Sequence, residues 1–239
     1  MKSLFLLRLV VGVLLLFHLH SATAQLRHPL SFVAPENILM VNPSRENVVQ
    51  RALSIDPTLV PTHCTLTRQE SSHYKKLYRK KAMPQSLDAL ARLLLVSGDA
   101  RYAHAIDQYK QSLRDSLDRD STLRSVAAAL LHTVGMTAAT DERGLYVNLL
   151  DDCMIIAKTP HFAVTVDQIA ELEGHKYRIS GLSSQGNTPL VLRLRLPHPT
   201  RSVTFYMNGR RLLSPHYERG YLVVERAWRN GDELFYRYE

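Results

Sequence analysis

Acidic residues near the middle of the chain are the first groups whose types and spacing suit acid–base chemistry. Glu142 precedes an apolar run that begins at Gly144, and the adjacent Asp151 and Asp152 follow that run. Hydrolysis of a glycosidic bond by carboxylates needs two such groups about 5–10 Å apart across a cleft. Glu142, Asp151 and Asp152 are therefore the candidate catalytic residues, and solvation on exposed loops is the alternative role for all three.

Aromatic side chains near the C-terminus are the candidate ligand contacts. Tyr206, Tyr217, Tyr221 and Trp228 all have rings on which a sugar can stack. An indole ring also gains from burial, so a place in the core is the preferred interpretation of Trp228.

Two cysteines limit the metal and redox chemistry of the sequence. Cys64 and Cys153 can form one disulfide at most, and the sequence does not show whether their thiols meet. Neither cysteine has neighbours at the spacing of a known zinc site. Cys153 lies in an apolar run, which indicates a buried thiol. We therefore expect no metal site and no cofactor.

The N-terminus has the pattern of a secretory signal peptide. Lys2 and Arg8 flank the start of an apolar run over residues 9–19, and Ala22-Thr23-Ala24 fits a cleavage site. We expect cleavage near Gln25, a secreted or periplasmic protein, and no membrane span after cleavage, because the run is short for a membrane helix. Without the first 24 residues the chain has 28 basic and 22 acidic residues, a net charge of +6.

The basic residues are too dispersed to indicate nucleic-acid binding. The one dense group, between Lys75 and Lys81, is interleaved with Tyr74 and Tyr78 and predicts a solvated helix face. A carbohydrate, including an acidic polysaccharide, is the possible ligand, and protein partners stay open.

Helical periodicity begins after Ser86. Leu87, Leu90, Ala91 and Leu94 form one apolar stripe, Gly98 ends that helix, and Asp99 is suited to cap the next. The second helix is predicted to bury one face and to turn the other to water: the buried set is Tyr102, Ala105, Ile106, Tyr109, Leu113 and Leu117, and the solvated set is Arg101, Asp107, Lys110, Arg114 and Asp118. A third helix after Ser121 completes an antiparallel hairpin layer.

The period changes to two after Leu145. Leucines at 190, 192, 194 and 196 alternate with Arg193 and Arg195, which predicts a strand with its leucines in a core and its arginines in water. We expect Val203, Phe205 and Val223 in the same core. Asn208-Gly209 predicts a tight hairpin, and Asn230-Gly231-Asp232 predicts a further turn. On this register Leu192→Ala costs about 2–5 kcal/mol, whereas Arg193→Ala costs no more than about 0.5 kcal/mol.

The strand-rich half resembles a known family. Read in order, Gly144-Leu145-Tyr146-Val147-Asn148-Leu149, the leucine-rich strand, the Asn-Gly hairpin and the run from Gly220 to Leu234 resemble the β-sandwich that follows the helical toroid in glycoside hydrolase family 127. The segment from Ala91 to Tyr102 is similar to the helical hairpins of that toroid. Together with the change of period, the resemblance predicts an α+β fold, with an α-helical hairpin layer over 25–140 and an antiparallel β-sandwich over 141–239 after the signal peptide of residues 1–24.

The same resemblance implies a catalytic site that this sequence lacks. Family 127 enzymes use a cysteine nucleophile and a zinc ion held by further cysteines, with adjacent cysteines just before the helix that leads into the Gly-Leu-Tyr-Val-Asn strand. The matching stretch here, Asp118 to Leu123, contains no cysteine. About 120 residues before Gly144 are also too few for the dozen helices of a closed toroid.

Three functions follow as hypotheses. The first is a secreted glycan-associated protein without the zinc–thiolate site. The second is an active, reduced glycoside hydrolase that acts on plant-type or other polysaccharide side chains by a carboxylate mechanism. The third is an interaction or assembly module of the cell envelope.

Overall fold

The computed structural model describes residues 29–40, 52, 55–56, 58–59, 64–119, 124–184, 189–196 and 202–238. Within these ranges the chain forms four α-helices, α1 (Arg68–Arg79), α2 (Leu87–Ser97), α3 (Ala100–Arg119) and α4 (Arg124–Val134). The strands of the same ranges are β1 (Ser31–Phe32), β2 (Ile38–Met40), β3 (Ala138–Thr140), β4 (Gly144–Val147), β5 (Cys153–Lys158), β6 (Phe162–Glu171), β7 (Gly174–Ser184), β8 (Leu190–Arg195), β9 (Val203–Met207), β10 (Arg210–Arg211), β11 (His216–Glu218), β12 (Tyr221–Arg226) and β13 (Glu233–Tyr238). The predicted α+β class is confirmed.

Local signals set the boundaries between α2 and α3, as predicted. The Ser86 hydroxyl accepts a hydrogen bond from the Ala89 amide (3.3 Å) and caps α2. Gly98 ends α2 in the left-handed conformation with a φ of 57°. The Asp99 carboxylate then accepts the amide hydrogen of Arg101 (3.1 Å) in the first turn of α3. Each cap satisfies a backbone group that the helix itself leaves unpaired.

Helix α2 is buried on nearly every side, which exceeds the single stripe predicted. Leu93, Leu95 and Val96 are as inaccessible as the residues of that stripe. The extra burial arises because α2 packs against both α1 and α3, while the Leu30 amide donates to the Leu95 carbonyl (2.7 Å). None of the helices described is long and apolar enough to span a membrane.

Two sheets follow the helices. The first sheet has the strand order β1-β3-β4-β8-β12-β11, and the second has the order β10-β9-β13-β7-β6-β5-β2. Neighbouring strands pair antiparallel except for β4 and β8, which run parallel. The first sheet is therefore mixed, where the sequence predicted only antiparallel pairing.

The molecule has three layers, with the first sheet in the middle. Alternate residues of both sheets, including Leu192 and Val166, form an inter-sheet core to which α4 also contributes. On its other face the first sheet places Tyr146 and Tyr221 in a helix-side core with residues of α2 and α3. Every residue of β8 is consequently buried.

Burial on both faces overturns the predicted solvation of Arg193 and Arg195. Both arginines are buried, because the helical layer covers the face that alternation assigned to water. Their charges are compensated locally, since Arg193 lies 3.4 Å from Asp141 and Arg195 lies 2.7 Å from Asp107. The predicted place of Val223 in the same core as Leu192 is also wrong, because Val223 pairs with Arg193 on the helix side and is only half-buried.

Helix α3 departs from its predicted faces for the same reason. Lys110, expected in water, is 3% exposed because its ammonium meets Asp151 from the loop after β4. Tyr109, expected in the core, is one of the exposed large side chains. The polar side of α3 thus faces the first sheet along part of its length.

The predicted hairpin at Asn208-Gly209 is confirmed. Asn208 and Gly209 have φ values of 49° and 75°, and they join β9 to β10 with Met207 opposite Arg210. Asn-Gly suits this turn because both positions need positive φ. Gly231, with a φ of 89°, lies in the turn that leads from β12 in the first sheet to β13 in the second.

Residues 31–40 contribute an edge strand to each sheet. β1 pairs with β3 in the first sheet, and β2 pairs with β5 in the second. The sheets therefore use strands from both sides of the predicted division at residue 140. That division stays a prediction, as does the signal peptide, which lies outside the described residues.

Candidate functional site

Asp151, one of the candidate catalytic carboxylates, is the anion of a buried ion pair. It is 8% exposed, and its two oxygens lie 2.9 and 3.1 Å from the Lys110 ammonium. Arg114 adds a third contact at 3.4 Å. A carboxylate that is out of solvent and in contact with two cations suits a structural ion pair better than the role of a general base.

The other two carboxylates do not form an acid–base pair with it. Asp152 is half-buried and accepts a hydrogen bond from the Ala170 amide of β6. Glu142 is exposed. Glu142 thus lies before β4, whereas Asp151 and Asp152 lie after it with different partners.

Trp228 and Tyr221 belong to the core, which confirms the preferred interpretation of Trp228 and corrects the candidacy of both rings as stacking surfaces. Within the inter-sheet core, the Trp228 indole nitrogen donates a hydrogen bond to the Leu190 carbonyl (2.9 Å). Tyr221 is fully buried and its hydroxyl donates to the Asn148 side chain (2.8 Å). Both rings have satisfied polar groups and expose no face to a ligand.

Tyr206 lies beside a second aromatic ring on the outer face of the second sheet. Its register partner is Phe235 of β13, with ring centroids 6.2 Å apart and planes inclined by 31°. Leu234 and Tyr236, on either side of Phe235, are buried, so Phe235 itself points away from the core. We call Tyr206 and Phe235 the aromatic platform. Phe235 was missed because the apolar run Leu234-Phe235-Tyr236 shows no alternation.

Charged side chains surround the aromatic platform. Lys176 of β7 pairs in register with Phe235, and its ammonium lies 2.9 Å from Glu171. The hydrogen bond to Glu171 raises the pKa of Lys176. The platform and its neighbours border a shallow groove of about 400 Å³, lined by Glu171, Lys176, Tyr206, Gly209, Glu233, Phe235 and Arg237. Flat rings beside carboxylate, ammonium and guanidinium groups offer both stacking and hydrogen bonds to a polar ring.

Tyr217, the remaining aromatic candidate, borders a different concavity. It is 48% exposed and lines a cleft of about 500 Å³ between the first turn of α3 and the first sheet. The structure therefore separates Tyr217 from Tyr206, since Tyr217 belongs to β11 of the first sheet and Tyr206 to β9 of the second.

Cys64 and Cys153 do not fit the zinc–thiolate centre of family 127 enzymes. Cys64 and Cys153 are both free and buried, and burial raises the pKa of each thiol. Among the described residues no three His, Cys, Asp or Glu side chains are grouped to hold a metal ion. The stretch where the family has adjacent cysteines includes Ser121 and Thr122, which lie outside those residues. The described residues therefore do not fit a zinc ion.

Comparison with known proteins locates the resemblance. Residues 144–239 match the family model for the beta-L-arabinofuranosidase, GH127 middle domain. A glycoside hydrolase structure shares the fold over 64% of this chain, with a TM-score of 0.54 and 14% identity. A GH127 beta-L-arabinofuranosidase from Geobacillus stearothermophilus T6 matches the same share of the chain, with a TM-score of 0.52 and 15% sequence identity. The GH127 beta-arabinofuranosidase BT3674 also matches 64% of the chain, with a TM-score of 0.52 and 17% sequence identity.

The match is partial in length. The chain spans 31%, 30% and 31% of these three structures, and no curated protein sequence matches it. The match to the family model begins at Gly144, the first residue of the strand-rich half in which the resemblance was predicted, so the predicted resemblance is confirmed. In sequence over residues 144–239, and in fold over 64% of its length, the chain is similar to the GH127 β-L-arabinofuranosidases.

Proposed function

We propose that this chain is an exported glycan-binding protein that lacks the zinc–thiolate chemistry of GH127 enzymes. The observation that carries the proposal is the aromatic platform. Two neighbouring rings face outward from a rigid antiparallel sheet, where their register is fixed by the Tyr206–Phe235 strand pairing. Rings held in this way can stack on the apolar faces of sugars with little further loss of conformational entropy.

The surroundings of the platform suit a carbohydrate better than a flat apolar partner. Glu171, Lys176 and Glu233 line the same groove and can exchange hydrogen bonds with sugar hydroxyls. Export rests on the N-terminal sequence, and N-terminal sequencing of the exported form should find Gln25 or a near neighbour.

The absence of thiolate catalysis rests on ligand count. A cysteine nucleophile beside a zinc ion held by further cysteines needs more thiols than the two in this sequence. The candidate carboxylates also favour binding over hydrolysis, because Asp151 is already paired with Lys110.

The test compares binding and hydrolysis in one set of proteins. Neutral plant polysaccharides are cast in native gels, and the retardation of wild-type protein is compared with that of the Tyr206→Ala, Phe235→Ala double variant. We expect the double variant to bind at least about tenfold more weakly, a loss of about 1.4 kcal/mol. Tyr109→Ala, which removes an exposed tyrosine from α3, is the matched control and should bind as wild type.

Hydrolysis separates the alternatives. We expect no release of reducing sugar and no turnover of an aryl β-L-arabinofuranoside with zinc under reducing conditions. Turnover that a Cys64→Ser, Cys153→Ser variant loses would overturn the thiol argument. Turnover that this variant keeps and Glu142→Gln loses would support the reduced hydrolase instead. Failure of every polysaccharide to retard the protein, together with co-purifying protein partners, would favour the envelope module.

A further inference from the structure

The aromatic platform is part of a longer row of side chains that crosses the second sheet. Phe235 of β13 lies between Tyr206 of β9 on one side and Lys176 of β7 on the other. Lys176 in turn pairs with Ile169 of β6. Residues that lie directly opposite one another project from the same face of a sheet, so the four side chains lie side by side. We call Tyr206, Phe235, Lys176 and Ile169 the cross-strand row.

The cross-strand row lies on the outer face of the second sheet. Each of its members has a buried neighbour along the strand that points into the molecule: Phe205, Leu234, Tyr177 and Gln168. Three members line the shallow groove of about 400 Å³, and Ile169, which is 39% exposed, extends the row beyond that groove. The row therefore presents two aromatic rings and one aliphatic side chain on the molecular surface.

The charges that line the groove are compensated within the protein. The groove has two cations and two carboxylates, and each belongs to an ion pair: Lys176 with Glu171, Arg237 with Glu173, and Glu233 with Arg178. Beyond Tyr206 the row ends at Arg211, an exposed residue of the edge strand β10. Paired charges attract an ionic ligand weakly, but their polar atoms still exchange hydrogen bonds with hydroxyl groups. An uncharged ligand rich in hydroxyl groups fits such a groove.

The spacing and inclination of the row suit a single extended glycan chain. Neighbouring strands lie about 4.8 Å apart, so the four strands of the row extend over about 15 Å. Each sugar of an extended β-1,4-linked chain advances the chain by nearly the spacing of one strand, so about four sugars match the row. The rings of Tyr206 and Phe235 are inclined by 31°, which follows the twist of the sheet. Inclined rings match a single twisted chain better than the flat surface of a crystalline polysaccharide.

We propose that the cross-strand row binds one neutral β-1,4-linked glycan chain that runs perpendicular to the strands, with one sugar over each strand. Tyr206 and Phe235 stack on two successive sugars. The Lys176 ammonium has three donors, so it can hold Glu171 and still donate to a hydroxyl of the third sugar. Ile169 contacts the fourth sugar. This inference rests on the proposed function, which leaves the linkage, length and direction of the glycan open.

The test measures binding of cellotetraose by NMR titration of 15N-labelled full-length protein. Three controls change the length, the linkage or the charge of this probe: cellobiose is shorter, maltotetraose has α-1,4 linkages that curve the chain, and tetramannuronic acid is a β-1,4-linked chain with a carboxylate on each sugar. We expect cellotetraose to bind at least about tenfold more tightly than each control, with shifts at the four residues of the row. Equal affinity of cellobiose would overturn the length of the site, equal affinity of maltotetraose its linkage, and equal affinity of tetramannuronic acid its neutrality.

Variants test the direction of the chain. Ile169→Ala removes the far end of the row, so it should weaken cellotetraose at least about threefold. It should leave cellobiose unchanged, because a disaccharide reaches only the aromatic platform. Leu39→Ala is the matched control, since Leu39 is an exposed aliphatic residue of the same sheet whose partner, Met154, belongs to another row. Equal losses in the two variants, or a loss of cellobiose binding in Ile169→Ala, would overturn the proposed direction.

The proposed function and this inference fail in different ways. If no neutral polysaccharide retards the protein in native gels, both fail. If polysaccharides retard it through Tyr206 and Phe235 but cellotetraose binds no better than cellobiose, only the extended site fails. Analytical ultracentrifugation provides the remaining check, because self-association that Ile169→Ala abolishes would assign the row to a protein contact and overturn the inference.

Discussion

Arg193 shows how a charged residue can be part of a covered strand. Its guanidinium carbon lies 4.5 Å from the centre of the Tyr146 ring, and its Nη1 lies 3.4 Å from Asp141. The Asp141 carboxylate also accepts a hydrogen bond from the Tyr146 hydroxyl (3.2 Å). Cation, ring and carboxylate thus hold one another on the helix side of the first sheet.

Removal of Arg193 should therefore destabilise the protein. Arg193→Ala leaves Asp141 without its cation and removes the contact with Tyr146, so we expect a loss of about 2–3 kcal/mol in the free energy of unfolding. Leu192→Ala, in the inter-sheet core, should cost about 2–5 kcal/mol. Urea unfolding of both variants measures the two losses.

The matched control is Arg178→Ala, because Arg178 is exposed on the outer face of the second sheet. Its loss should stay below about 0.5 kcal/mol. If Arg193→Ala is as mild as Arg178→Ala, the helical layer does not cover Arg193 in solution.

Among the elements, the parallel pair of β4 and β8 depends on Gly144. A Cβ atom at Gly144 would lie 1.8 Å from the Val191 carbonyl oxygen of β8. Only glycine allows the two backbones to approach so closely. The pairing matters because it joins the β3–β4 pair, which follows the helices in the chain, to the centre of the first sheet.

Gly144→Ala should consequently separate β4 from β8 and cost at least about 3 kcal/mol, the upper end of overpacking effects. Gly181→Ala is the comparison, since a Cβ atom there would meet the Thr165 side chain at 3.0 Å rather than backbone. We expect less than about 1 kcal/mol for Gly181→Ala, because the Thr165 side chain has to shift by only a few tenths of an ångström. Thermal unfolding of the two variants tests this, and similar melting temperatures would contradict the close approach.

Sequence predicted those elements whose signals are local. Ser86, Gly98 and the Asn208-Gly209 pair carry their own caps and turns, so the helix boundaries and the hairpin were correct. β1 and β2 were not predicted, because strands of two and three residues show no alternation and their partners lie far along the chain. The aromatic platform was likewise predicted only in part. Tyr206 was a candidate from the sequence, but only the packing of the second sheet shows that Phe235 faces outward beside it.

At the scale of the whole molecule, the helices and the first sheet form one packed unit. Tyr146 and Tyr221 share the helix-side core with residues of α2 and α3, and Arg195 takes Asp107 of α3 as its counter-ion. Sequence periodicity indicated which residues of β8 alternate. It did not show that a helical layer lies on the arginine side, because that contact is tertiary.

A fragment of residues 141–239 should therefore fail to fold cooperatively. It lacks β1, β2 and β3, exposes the helix-side core and leaves Arg195 without Asp107. Near-ultraviolet circular dichroism and urea unfolding should show no sharp transition, whereas residues 29–239 should unfold cooperatively. A cooperative transition in the shorter fragment would support the domain boundary predicted at residue 140.

The edge strands of residues 31–40 also impose an order on folding. Ser31 and Thr140, which pair across β1 and β3, are separated by 109 residues. The partner of β2 is β5, which also lies far along the chain. Contacts of such long sequence separation slow folding, because a long loop must close before they form. During synthesis from the N-terminus, these first strands have no partner until the helices have been made. We therefore expect β1 and β2 to be among the last strands to pair. Until they pair, β3 and β5 are the unpaired edge strands of their sheets.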